Sequence, residues 1–181
     1  KLDPEVRRLT EAALRDMQKN GATISEVSLP HLHESVEAAT HLSLAETRHL
    51  HQAAGYFPAH ANEYSDEVLQ RIEAGGKITA VEYLEGLAVQ KRVRAEFVAA
   101  FANVDAIVAP STPVPAPPSG AESIQIGAEE IGVVSARAVL NRRGNIAGRP
   151  AIAVPGGDPS SGAPGGRRLW RPSFAAVTRV R

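Results

Sequence analysis

The chain has no cysteine, and that absence removes disulfides, thiolate zinc sites and a cysteine nucleophile from consideration. Aromatic residues are scarce at 4%, so alanine, valine, leucine and isoleucine must do most of the packing. Charge of either sign is not in excess: 20 Lys+Arg meet 20 Asp+Glu, and no overall positive field exists to recruit nucleic acid or an anionic membrane. No apolar run approaches the length that spans a bilayer. The start, Lys1-Leu2-Asp3-Pro4, shows neither an initiator methionine nor a signal-peptide pattern, and the expectation is a start after processing or, more simply, within a longer protein, the lack of cysteine fitting a cytoplasmic one. The 181 residues, 43% apolar and 22% charged, are enough for one compact domain with its own core.

Helix signals dominate the first hundred residues. Asp3-Pro4 supplies an N-cap acid and a proline at the first helical position, Val6, Leu9, Ala13 and Met17 recur at helical spacing, and Gly21 ends the run. Residues 22–29 alternate and read as a short strand stopped by Pro30. A long helix is expected over about 32–54, with Leu32, Val36, Ala39, Ser43, Glu46 and Leu50 on one stripe. Glu46 is the odd member; it either reaches solvent or an arginine, or is a hydrogen-bonded acid in a pocket wall, and acids are seldom buried unpaired. After a loop over 55–64, Ser65 caps a short helix ending near Gly75-Gly76. Thr79 and Glu82 then stand at capping-box spacing, with Ile78 and Tyr83 placed for a hydrophobic staple, and this helix runs to about Ala102 with Val89, Val93, Phe97 and Phe101 four apart.

Strand signals follow. Residues 104–109 and 151–154 read as buried strands, the second bracketed by Pro150 and Pro155. Between them, 110–119 holds five of the thirteen prolines and reads as an extended loop, Ile124 and Ile126 as a short strand or turn, and 135–140 as a brief helix. Strands alternating with helices predict an α/β fold, a mixed sheet covered by helices. Three strands make a thin sheet, which is expected to be incomplete.

The chemistry-bearing residues form few patterns. The histidines at 31, 33, 41, 49, 51 and 60 include two pairs spaced two apart, which point to different faces of a helix. His33 and His41 could approach Glu34 or Glu46, but nothing fixes a third ligand, so no metal is expected. There is no Gly-x-Ser-x-Gly elbow, and Gly75-Gly76-Lys77 lacks the preceding strand and following hydroxyl of a phosphate loop. Ser160-Ser161-Gly162 reads as a loop without a paired base. Arg167, Arg168, Arg171, Arg179 and Arg181, interleaved with Trp170 and Phe174, could touch nucleic acid, but five arginines in a neutral chain are a weak case.

Four segments, in order, carry a family resemblance. Phe101, Asp105 and the run Ala106-Ile107-Val108-Ala109-Pro110-Ser111-Thr112-Pro113 come third, and Asn145-Ile146-Ala147-Gly148-Arg149-Pro150-Ala151-Ile152-Ala153-Val154-Pro155-Gly156 fourth. Upstream stand Gly21-Ala22 through Ser28-Leu29-Pro30, and Ala80-Val81-Glu82-Tyr83 with Arg92. Together they resemble the C-terminal portion of the amidase-signature family. The resemblance implies amide (C–N) bond hydrolysis by a serine activated by a second serine and a lysine, without a metal or organic cofactor. It also implies a small amide substrate for the full-length protein, and leaves a homodimer open. The Gly/Ser-rich motif that carries those serines is absent, so no catalytic residue is assigned here and the chain alone is expected to be inactive. The substrate-pocket candidates are Thr112, Pro113, Asn145 and Gly148, with Gly148 allowing a tight backbone turn. The family-like segment is placed at 1–157. A Gly/Pro/Arg-rich tail at 158–181 departs from the pattern and is expected to leave the sheet uncompleted. The alternatives are a non-enzymatic helical interaction domain and a relative of the amidotransferase A-subunits.

Overall fold

A computed structural model describes residues 2–126, 128–155 and 166–170. They form two compact units, one of residues 1–29 with 96–181 and one of residues 30–95.

The second unit is helical. A 3-10 turn over Pro30–His33 precedes α2 (Ser35–Ala53), which is followed by a short 3-10 turn at Ala61–Glu63 and then α3 (Asp66–Gly75). The next helix, α4 (Ala80–Ala100), opens in this unit with the expected capping box. The Thr79 N–H donates to Glu82 Oε2 at 2.7 Å, and Thr79 Oγ1 accepts the Glu82 N–H at 3.2 Å. The buried face of α2 is Ser35, Ala38 and Leu42, not the stripe expected over 32–50. Leu50 is 65% exposed, and Glu46 is exposed, accepting the Tyr83 hydroxyl at 3.4 Å. Small residues let another element approach closely, and Ser35 satisfies its own hydroxyl by donating to the Leu32 carbonyl at 2.5 Å. Gly75 and Gly86 show how tight this packing is. A methyl at Gly75 would overlap the Leu44 carbonyl oxygen, and one at Gly86 would lie 3.1 Å from Leu42 Cγ.

The first unit holds α1 (Pro4–Lys19), the end of α4, all five strands and α5 (Val133–Ala147). Asp3 caps α1 through Oδ1, which accepts the N–H groups of Glu5 at 2.8 Å and Val6 at 3.3 Å. Val6 and Ala13 are buried, with Leu9 and Met17 half-buried beside them, as the spacing predicts. Residues 22–29 are not a strand. They enter no ladder among the described residues, and an alternating pattern becomes a strand only when a neighbour takes its hydrogen bonds.

Strand β1 (Ile107–Pro110) and strand β4 (Ala151–Pro155) flank β5 (Gly166–Trp170), and both ladders are antiparallel. The tail therefore does contribute a strand, contrary to expectation. Ladder bonds are made by backbone groups, and Gly166–Trp170 has free N–H and C=O groups to give whatever its side-chain pattern. Residues 158–165 and 171–181, with Ser160, Ser161, Arg171, Phe174, Arg179 and Arg181, lie outside the described residues. A second sheet is the hairpin β2 (Ser123–Ile126) and β3 (Glu129–Gly132), with Ile124 opposite Ile131. Val114, Ile126 and Ala136 form its core, with Ile124 and Ile131 packed against them. The expected buried strand β4 is instead open: Ala151 and Ala153 are exposed and Ile152 is 59% exposed. The partial sheet leaves its edges and this face uncovered within the described residues.

Candidate functional site

The residues singled out in the sequence lie where the chain leaves the three-stranded sheet (Thr112, Pro113) or approaches it (Asn145, Gly148). Ile107 and Ala151 stand level with Trp170, while Pro110 and Val154 stand level with Arg167. Thr112 and Pro113 therefore follow one end of the sheet, and Asn145 and Gly148 precede the other. The strands do not bring the two pairs together.

At the first end, Thr112 Oγ1 donates to the Val114 carbonyl at 2.7 Å and fixes the turn into the proline loop. Pro113 is buried, and its carbonyl accepts the Asp3 N–H at 2.8 Å, tying the start of α1 to this loop. Ser111, between Pro110 and Thr112, has a buried hydroxyl with no partner among the described residues. Sequence reading did not single it out. Its only signal was its place in the family-like run, since nothing in a sequence shows that a hydroxyl will be left unsatisfied.

At the second end, Gly148 caps α5 in the left-handed region at φ 61° and ψ 36°, and its N–H donates to the Asn145 carbonyl at 3.1 Å. The turn expected of this glycine is present, and a side chain there would be strained. Asn145 and Gly148 are both exposed. Nearby in sequence, burial pushes the Arg143 guanidinium below its ordinary value, and its Nε has no partner.

Nucleophilic amide chemistry needs a serine beside a base. Lys19, Lys77 and Lys91 are exposed, and Lys19 is engaged with Asp16 at 3.2 Å. The one fully buried serine, among the described residues, is Ser35, whose hydroxyl is used on Leu32. No serine–lysine pair among the described residues offers the required proton transfer.

The second unit adds a feature that the sequence presented as a loop. His51, Tyr56, His60, Glu63 and Tyr64 line a surface pocket of about 290 Å³. His51 Nδ1 lies 2.7 Å from the Tyr64 hydroxyl, and His60 Nδ1 lies 2.7 Å from Glu63 Oε1. At the other end of α2, Arg92 Nη2 lies 2.6 Å from Glu34 Oε2. That bond, with the charges of Arg92, His31 and His33, holds the Glu34 carboxyl below its ordinary range against a smaller opposing effect of burial. His33 and His41 gather no ligand set: among the described residues no group of three or more His, Asp or Glu is placed to hold a metal ion. Among the same residues, no helix is long and apolar enough to cross a membrane.

Comparison with known proteins places this geometry. A family model described as Amidase matches residues 1–173. The glutamyl-tRNA(Gln) amidotransferase A-subunit of Koribacter versatilis (strain Ellin345) is 30% identical over 202 aligned positions, which take in 99% of this chain and 41% of the relative. Its counterpart in Pseudomonas fluorescens (strain Pf0-1) is 29% identical, over 96% of this chain and 39% of the relative. A crystal structure of an amidase superposes with a TM-score of 0.86 at 30% identity, over 96% of this chain and 39% of its own. The glutamyl-tRNA(Gln) amidotransferase A-subunit of Thermotoga maritima shares the fold, with a TM-score of 0.59 at 23% identity over 94% of this chain and 35% of its own. The chain thus spans about 40% of the length of the curated relatives it matches.

Proposed function

We propose that this chain, which belongs to the amidase family, is the C-terminal scaffold and substrate-pocket portion of an amide (C–N) hydrolase whose Ser-Ser-Lys residues lie outside these 181 positions. The observation that carries the reading is the pairing of a family match over 1–173 with side chains that include no Gly/Ser-rich serine motif and, among the described residues, no serine–lysine pair. A neutral lysine base has to be taken out of water, and Lys19, Lys77 and Lys91 are not. Ser111, Thr112 and Pro113 at one sheet end are the wall-forming positions; Asn145 and Gly148, at the opposite end, do not share that wall. The unpaired Ser111 hydroxyl supports this, because a buried donor without a protein partner is a place for an outside group to bond. The substrate is a small amide, and no metal or organic cofactor takes part.

An amidotransferase A-subunit is the second reading, favoured by the names of the curated relatives. The solved structure that superposes at 30% identity is an amidase, which weighs toward the first. Incubation of the purified chain with simple amides and with glutamine, with and without a serine-directed fluorophosphonate, tests the first claim. No turnover and no covalent labelling are expected. Reagent-sensitive turnover of any amide by the chain alone would overturn it.

A further inference from the structure

The segment 51–64 holds an uneven share of the chain's rings. Two of the three tyrosines and two of the six histidines line one pocket there, and among the described residues Glu63 is the one carboxylate with them. His51 comes from the last turn of α2, and Tyr56, His60, Glu63 and Tyr64 from the segment that follows. Two side-chain bonds set the walls. A carboxylate only accepts, so His60 Nδ1–H donates to Glu63 across 2.7 Å, while His51 Nδ1 meets the Tyr64 hydroxyl at the same distance. The His51 and Tyr64 rings also meet edge to face, centroids 5.3 Å apart at 69°.

The chemistry of these walls selects one kind of ligand. The faces of phenol rings carry negative potential and attract cations. Glu63 adds a negative charge that it shares with the His60 N–H, and among the described residues no lysine or arginine lines the pocket. Anions are therefore disfavoured. A metal ion is disfavoured too, since no set of three ligating side chains converges among the described residues. The volume suits a ligand of a few heavy atoms, at the small end of binding pockets. We propose that the pocket formed by His51, Tyr56, His60, Glu63 and Tyr64 binds a small organic ammonium ion, with its alkyl groups against the rings and its charge beside Glu63. This binding is independent of the amidase reading, because it involves none of the residues placed in the substrate wall.

Calorimetric titration of the full chain with choline, and with its neutral isostere 3,3-dimethyl-1-butanol, tests the assignment. Choline should bind saturably and the neutral alcohol at least about ten-fold more weakly. Tyr56→Leu and Glu63→Gln change side chains that are 57% and 68% exposed, so the fold should survive both. Each should weaken choline binding by about two- to five-fold. In the unmutated chain, the ring-proton resonances of His51 and His60 should shift on choline addition, a readout that does not depend on any variant. Equal binding of the alcohol, no saturation by choline at tens of millimolar, or unchanged binding in both variants would each overturn the proposal.

Discussion

Gly75→Ala gives the sharpest test of how the helical unit is packed. Gly75 ends α3 and is buried against α2. A Cβ built there overlaps the Leu44 carbonyl oxygen and falls 2.8 Å from both the Leu44 carbonyl carbon and Arg48 Cβ. Ordinary contact begins at 3.4 Å, so these neighbours sit 0.6 Å too close (3.4 − 2.8). Two of the three clashing atoms are backbone and cannot rotate away. The helices must separate, loosening the packing around Ile72, which is completely buried. Overpacking of this kind costs about 1–3 kcal/mol. The opposing gain from replacing a helical glycine by alanine is at most about 1 kcal/mol, and is smaller at a helix end. The net expectation is a loss of about 1–2 kcal/mol, or about 2–8 °C in Tm for a chain of this size. Gly86→Ala is the internal control. Its nearest neighbours are Leu42 Cγ at 3.1 Å and Leu42 Cδ2 at 3.3 Å, both on a side chain that can shift. With the full propensity gain in the middle of α4, its net change should lie within about 1 kcal/mol of zero. Urea unfolding followed by helical circular dichroism measures both variants. A Gly75→Ala protein as stable as the parent, or less perturbed than Gly86→Ala, would refute the packing described here.

Three further outcomes are expected. Glu34 is bonded to Arg92 and its carboxyl is held below the ordinary range, so its contribution is present above the unfolded carboxylate pKa and is lost as pH falls through the lower folded value; Glu34→Gln should lower Tm at pH 7 and flatten its fall on acidification, and parallel Tm–pH curves for the two proteins would contradict this. Gly148→Ala forces a side chain into the left-handed cap of α5 and should cost about 1–2 kcal/mol, with Gly148→Asn milder, in the same urea experiment; equal stability of all three proteins is the contrary result. Ser111→Ala removes a buried hydroxyl that lacks a partner and should leave the chain as stable as before or up to about 1 kcal/mol more stable, whereas a loss above that would mean the hydroxyl is satisfied.

The elements that were legible in the sequence are those set by local chemistry. Asp3-Pro4 and Thr79 with Glu82 mark the starts of α1 and α4 because a cap needs only residues within one turn. Ser65 and Gly76 stand at the two caps of α3, although the Ser65 side chain makes no capping hydrogen bond. What depends on partners far along the chain was only partly legible: the apolar runs at 107–110 and 151–155 were readable as strands, and others were not. Residues 22–29 alternate but enter no ladder among the described residues, while Glu129–Gly132, too polar to draw notice, is a strand because β2 lies beside it. The Gly166–Trp170 strand was hidden for the same reason. The buried face of α2 was misread because Ser35 and Ala38 face inward by virtue of being small, and a hydrophobicity pattern ranks Leu50 above them. Of the candidate site, the left-handed turn at Gly148 was readable from its glycine. The orphaned Ser111 hydroxyl and the pocket at 51–64 were not, since both arise from the three-dimensional arrangement of residues that are ordinary one by one.

The central claim, a family scaffold without its chemistry, is tested most directly by complementation. The purified chain is mixed with the serine-bearing N-terminal portion of an amidase, and amide hydrolysis is measured for each component and for the mixture. Neither component alone should turn over substrate, and the mixture should regain serine-dependent hydrolysis that rises with the concentration of this chain. Hydrolysis by this chain alone, or a mixture that stays inactive although the two portions bind each other, would contradict the account.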